Sequence, residues 1–319
     1  MKTLALLIPV IVLALLAPVL GDYQIYLLSL TLLWGLMALG MGLVLGYAGE
    51  VNFGQAGFVA ISAYVSTLLR TKLGFSFWEA APIALACTVG CAAVVGSITM
   101  RLRGPFFVLV MLAFGEIVRL ILANWQSMTN GPLGLRQIAP PEPVLGFAFD
   151  TKISFFYLIL FVLALATLAL ARLVRSRAGR LFVAAREDEL LAEFVGVPLM
   201  KSKVTALCIG AFVGALGGLL LAPFLTVLSP GQFTMFAAVD MVVMVIVGGA
   251  GTLAGPLLGA VFLVYVPELL SFSNEMRPIV MGVLLILVTM FMPGGLIGLV
   301  DSWLAALRRR AGGNKAPPP

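Results

Sequence analysis

Residues 153–171 read ISFFYLILFVLALATLALA, nineteen consecutive positions without a charge. As a helix rising about 1.5 Å per residue, such a run crosses the ~30 Å hydrocarbon core of a bilayer. Similar runs recur along the chain. Hydrophobic residues make up 61% of the 319 positions and charged residues 11%, with a mean hydropathy of +1.12. A soluble domain carries about 25% charge. Lipid offers the backbone no hydrogen-bond partner, so spanning segments must be helices or strands of a closed barrel. Barrel strands alternate apolar and polar residues over about ten positions, whereas these runs are apolar all round and about twice as long. The expected fold is all-α: a polytopic helical membrane protein of about ten transmembrane helices (eight to ten), with broken or re-entrant glycine-rich segments.

Ten spans fit the pattern: 4–20, 25–45, 57–70, 79–100, 105–123, 153–172, 204–225, 236–250, 252–271 and 278–298. Those at 57–70 and 236–250 are short enough to be half-helices or re-entrant. With the N-terminus inside, fourteen of the twenty Lys and Arg residues fall on the cytoplasmic face, as the positive-inside rule requires. Arg70, Lys72, Arg136, Lys152 and Arg277 fall outside, and Arg119 within a span. This places the chain as a multi-pass protein of the inner (plasma) membrane with both termini cytoplasmic. Residues 1–307 form the transmembrane domain and 308–319 a basic, Pro-ending tail whose GGNKAPPP is read as disordered. The first twenty residues fit a retained span. A signal peptide is the alternative, although Ala17-Pro18-Val19-Leu20 is a poor cleavage site.

The net charge of +6 follows from this topology and does not call for nucleic acid. Cys87, Cys91 and Cys208 lie in apolar spans, where a thiol behaves as a small hydrophobe, and with no His they make no metal framework.

Immediately after the opening stretch comes RLVRSRAGRLFVAAREDELLAEFVGVPLMKSKV (172–204), with seven of the Lys and Arg residues and four of the fourteen acids. Gly179 is expected to break the long span. Phe182, Leu190, Leu191, Phe194 and Val195 share one side of a helical wheel. Arg186, Glu187, Asp188, Glu189 and Glu193 occupy the rest, and Gly196-Val-Pro198 ends the helix. Interfacial helices that bind lipid are mostly cationic on the polar face. Residues 182–195 carry four acids against one Arg, which favours docking into a groove on a soluble protein.

Glycine gathers at 40–57, at Gly210, Gly214, Gly217 and Gly218, and at 248–259, where Gly251, Gly255 and Gly259 are spaced by four. That spacing lets helix backbones touch in a bilayer. The first and third clusters also interrupt apolar runs and carry Asn52, Gln55 and Thr252; interrupted spans often build a substrate path. Simple packing is the competing reading. A Walker A loop needs Lys after its last Gly, and the sequence contains no Gly-Lys dipeptide. ATP-driven transport would therefore need a motor on another polypeptide. An offset of 201 aligns Gly54 with Gly255, Tyr64-Val65 with Tyr265-Val266, and Leu68-Leu69 with Leu269-Leu270, a faint echo of duplicated halves.

Glu116 and Arg119, three residues apart in the fifth span, share a helical face. A charge at bilayer depth costs about 2.5–3.5 kcal/mol on insertion scales, so it needs a partner or water. An intrahelical ion pair and a place on the translocation path are both open for Glu116. The long outer connection from Asn124 to Lys152, with Thr129 in NWQSMTNGPLGLRQ, is either a ligand-capturing or carrier-docking surface or a plain lid.

These features together resemble ABC importer permeases, specifically LivM-type permeases of the branched-chain amino acid importer family. The resemblance covers nearly the whole chain. It rests on GYAGEVNFGQAGF (46–58), RLRGPFFVLVMLAFGEIVRL (101–120), the NW-x-S-x-T-N-GPLG pattern (124–134), GRLFVAAREDE (179–189) and VGGAGTLAGPLLGA (247–260). The general EAA-x-x-x-G consensus of such permeases is not met literally: Gly196 would be its glycine, but position 190 is Leu.

The resemblance implies that 173–203 is a cytoplasmic coupling loop. Gly179, Arg180, Arg186, Glu187, Asp188, Glu189, Glu193 and Gly196 would then meet an ATPase subunit. It implies a second homologous permease chain, two cytoplasmic ATPase subunits carrying ATP-Mg, and an extracytoplasmic substrate-binding protein. The chain itself would need no cofactor and make no covalent bond. Asn52, Gln55, Glu116, Asn124 and Thr129 are the candidates for the path. Branched-chain amino acids are the expected substrates, with urea or short amides as alternatives within the family. Of other classes, an ion-coupled secondary transporter remains open. A lipid-acting enzyme would need clustered Asp, Glu or His at a membrane face, and no His or Asp-rich motif is present.

Overall fold

The computed structural model describes residues 13–269, apart from Arg103 and Leu145, and a few positions between 282 and 298. The tail at 308–319 and most of the spans expected at 4–20 and 278–298 lie outside the described residues.

The centre of the molecule is α1 (Asp22–Ala48), apolar on every side and mostly buried, as a helix without a polar face must be. Beyond it follow α2 (Gln55–Leu73), α3 (Phe77–Thr99) and α4 (Pro105–Asn124). A capping box of Ser76 and Glu79 starts α3, and Pro105 at the first turn starts α4. A four-residue helix, α5 (Gln126–Thr129), opens the outer connection, and α6 (Lys152–Arg175) holds the charge-free stretch 153–171. After two short helices comes α9 (Leu199–Leu225), which packs against α1, α2 and α3.

Glycine sets the closeness of α1 and α9. A Cβ on Gly40 would overlap the Gly210 carbonyl oxygen and lie 2.8 Å from the Gly214 nitrogen. On the other side of α9, the Ser62 hydroxyl of α2 donates to the Ala215 carbonyl at 2.8 Å. Small residues and cross-helix hydrogen bonds hold this core, where lipid supplies little hydrophobic drive between helices.

The span expected at 57–70 belongs to the nineteen-residue α2, about 28 Å long; the described helices both long and apolar enough to cross are α1, α3, α4, α6 and α9. The third glycine cluster does interrupt the membrane domain. α10 (Met235–Gly248) has 14 residues, about 21 Å, short of the hydrocarbon core, and α11 (Gly255–Leu269) follows the break. Gly249 and Gly251 between them take φ of +120° and +89°, conformations closed to most side chains. The Thr252 hydroxyl accepts from Gly255 N at 3.0 Å and so caps α11. The 201-residue echo thus matches two helices, α2 and α11, that both follow a glycine-rich break. The all-α architecture carries one small addition, an antiparallel ribbon of β1 (Leu135–Arg136) and β2 (Val227–Leu228).

The chain alternates between two ends of the bundle. At one end Arg70 donates to the carbonyls of Ala139 and Pro140, both at 2.9 Å, and Lys152 pairs with Asp22 at 3.2 Å. At the other, Arg101, Lys201 and Lys203 gather with Glu189 and Glu193 around one depression.

Candidate functional site

The charged end of the bundle is built from the segment between α6 and α9. α6 ends at Ser176, which adopts an extended conformation (φ −77°, ψ 179°). Gly179 does not break the span as expected. It lies inside α7 (Arg177–Glu187), pressed so close to Val174 that a Cβ would sit 2.5 Å from the Val174 carbonyl carbon. Its smallness lets the chain fold back at the α6–α7 corner.

The single helix expected over 182–195 is two. α7 stops at Glu187, Asp188 turns to φ −156°, ψ 108°, and α8 (Glu189–Phe194) begins. The Asp188 carboxylate accepts from Leu191 N at 2.9 Å, an N-cap that competes with helix continuation. α8 ends as the sequence indicates. Gly196 (φ +85°) donates to Glu193 O at 3.0 Å and Val197 to Ala192 O at 2.9 Å, a Schellman pair.

The two helices present different faces. α7 buries Gly179, Phe182 and Ala185. Arg186 turns inward: its guanidinium donates to the Gly46 carbonyl near the end of α1, and its stem lies against Gly49. Arg180 stays exposed, donating to Arg175 O at 3.3 Å. On α8 only Ala192 is buried. Leu190, Leu191, Val195 and Phe194, the last 87% exposed, project from the end of the bundle beside the exposed Glu187, Asp188 and Glu193. An apolar ridge bordered by acids is a surface for a protein carrying an apolar groove and basic rim.

Glu189 belongs to a different arrangement. Lys203, in the first turns of α9, bonds Glu189 and Glu50, each at 2.6 Å. Its side chain is 8% exposed, so the charge is buried and paired on both sides. Sequence reasoning missed Lys203 and Glu50. The signal was present, since a carboxylate inside an otherwise neutral glycine motif calls for a cation.

Asn52 and Gln55 are fully buried and bonded. Asn52 Nδ2 donates to Gln55 Oε1 at 3.1 Å, Gly54 N to Asn52 Oδ1 at 3.0 Å, and Gln55 Nε2 to Gly210 O at 3.0 Å. Their polar atoms hold the α1–α2 break against α9. Thr129 is likewise buried, its hydroxyl on Leu122 O at 2.6 Å, and Asn124 bonds Leu120 O at 2.8 Å from the C-terminal end of α4. Glu116 and Arg119 form the intrahelical pair on α4. They do so on a helix of which only 22% of the most apolar window is buried, and both side chains are partly exposed. The path candidates therefore fall in three separate places: the α1–α2 break, the open face of α4 and the α4–α5 corner. Of the glycines read as packing residues, Gly255 and Gly259 lie on α11 against α10, and Gly251 precedes the helix beside Gly46.

Residues 23–289 match the family model described as branched-chain amino acid transport system / permease component. The chain is similar to the high-affinity branched-chain amino acid transport system permease protein LivM of Escherichia coli, 31% identical over 312 residues, covering 90% of this chain and 73% of that one. It is 27% identical over 284 residues to the LivH permease protein of the same organism, covering 83% and 91%. To a probable LivM permease protein of Methanocaldococcus jannaschii it is 27% identical over 333 residues, covering 86% and 94%. No solved structure matches the chain. A multi-pass helical bundle with glycine-broken helices, matched by this model over most of its length, belongs to the family of branched-chain amino acid transport permease components.

Proposed function

We propose that this chain is a membrane-spanning permease subunit of an ABC importer. It moves branched-chain amino acids delivered by an external binding protein and is driven by separate ATPase subunits on the cytoplasmic side. The observation that carries this reading is the α8 ridge, where Leu190, Leu191, Phe194 and Val195 stand exposed among acids at the charged end of the bundle. ATP closes the motor subunits, their movement displaces α7 and α8, and the helices shift between outward and inward access. Both termini are cytoplasmic in this arrangement, and the permease does no covalent chemistry.

A second, homologous permease chain completes the path. The partly open pocket among Trp34, Met37, Leu221, Gln232, Phe233 and Met241 measures about 150 Å³ and its wall is mostly apolar. A zwitterionic amino acid cannot leave its ammonium and carboxylate unpaired there. The α4 face combines exposed Leu109, Ile117 and Leu120 with the Glu116–Arg119 pair, polar groups that lipid would not accommodate. Set against a partner permease, this largely apolar face would be covered and its Glu116–Arg119 pair withdrawn from lipid.

Co-purification tests the assignment. A tagged copy expressed with its neighbouring genes should bring down a Walker-containing subunit; uptake by the chain alone, powered by an ion gradient, would instead establish a secondary transporter. Binding measurements on the companion receptor separate branched-chain amino acids from urea or short amides.

A further inference from the structure

The Lys203 cluster joins three segments that the sequence keeps apart. Glu50 lies in the break between α1 and α2, Glu189 heads α8, and Lys203 stands near the start of α9. From Glu50 the connection runs inward: Asn52 bonds Gln55, and Gln55 bonds the carbonyl of Gly210, two helical turns along α9 from Lys203. A parallel strut runs from Arg186 on α7 to the Gly46 carbonyl on α1. The exposed ridge of α8 is thus tied, through one ammonium, to the glycine break at the centre of the bundle.

The two carboxylates are not equivalent. Glu50 is 14% exposed and Glu189 39%. An ammonium carries three donors and one charge, so Lys203 released from Glu189 is still neutralised by Glu50. Glu189 released from Lys203 can turn to water. Separating Glu50 instead would leave a buried charge without its partner, which is costly. The Glu189 contact can therefore open and close without stranding a charge, while the Glu50 contact stays made.

We infer that Lys203 is a positioning residue for coupling: it stays locked to Glu50, and making and breaking its contact with Glu189 transmits the movement of α8 to the α1–α2 break. This rests on the importer reading and adds the route by which the motor reaches the helices. In this role the three side chains act through the backbone they hold and need no contact with substrate.

The test uses the complete complex, with partner permease, ATPase subunits and binding protein, in proteoliposomes. ATP hydrolysis and radiolabelled leucine uptake are measured on the same preparation. ATP-dependent uptake by the wild-type complex is the separate check on the importer reading. Glu189→Gln leaves Lys203 paired with Glu50, so the complex should assemble at normal yield and hydrolyse ATP near the wild-type rate. Uptake per ATP should fall by about tenfold or more, within the usual range of coupling effects. Lys203→Arg should retain coupling, and Lys203→Gln should lose it. Wild-type uptake per ATP in Glu189→Gln would overturn the inference. So would equal loss of hydrolysis and uptake in that variant, which would mark Glu189 as a plain docking contact.

Discussion

Phe194→Ala isolates the α8 ridge from the stability of the bundle. The ring is 87% exposed, so the chain's own fold draws almost nothing from it. If a motor subunit covers the ridge, burying that ring contributes about 2 kcal/mol, within the ~1.5–3 kcal/mol of a fully buried large apolar side chain. Since 1.4 kcal/mol is a factor of ten in affinity, its removal should weaken binding by about 30-fold. Leu190 and Leu191, less exposed, should each contribute about 1–2 kcal/mol on the same scale. The assay is equilibrium binding of the purified ATPase subunit to the permease in nanodiscs, with thermal unfolding of the permease as control. Phe194→Leu, which restores most of the apolar area, should recover most of the affinity. Unchanged binding by Phe194→Ala, with unfolding also unchanged, would refute the docking surface.

Three further outcomes follow from the geometry. Gly40→Val places a branched side chain where the α9 backbone already lies; overpacking of about 1–3 kcal/mol or more should lower the unfolding temperature and folded yield in detergent. Glu116→Gln and Arg119→Gln each leave a partner charge at bilayer depth, worth about 2.5–3.5 kcal/mol, so the double variant should be better expressed than either single one. Asp188→Asn keeps the acceptor for Leu191 N and should preserve α8, whereas Asp188→Ala loses about 1 kcal/mol of capping; comparing their motor affinities separates the charge of Asp188 from its cap.

Five of the ten expected spans, now α1, α3, α4, α6 and α9, were legible because a bilayer accepts so few solutions that long apolar runs nearly dictate helices. Glycine-rich breaks were legible for a related reason, since Gly249 and Gly251 adopt conformations other residues resist. The Glu116–Arg119 pair could be read from local spacing alone. Two local features were misplaced. The α6–α7 turn falls at Ser176 because Gly179 is needed for close approach, and 182–195 splits because the Asp188 side chain satisfies the first turn of a new helix. What the sequence concealed depends on distant partners. Asn52 bonds the Gln55 side chain, Gln55 the Gly210 carbonyl 155 residues away, and Thr129 the Leu122 carbonyl, partners that no local pattern announces. Lys203 looks like one more surface cation until it meets Glu50, 153 residues away.

In the proposed importer, transport is powered by another polypeptide's ATP hydrolysis and delivered to this chain through α7 and α8. Uptake of radiolabelled leucine into proteoliposomes holding the full complex tests this most directly. Uptake should require ATP and the binding protein and continue when ion gradients are collapsed. Uptake by this chain alone, driven by an imposed ion gradient and indifferent to ATP, would contradict it.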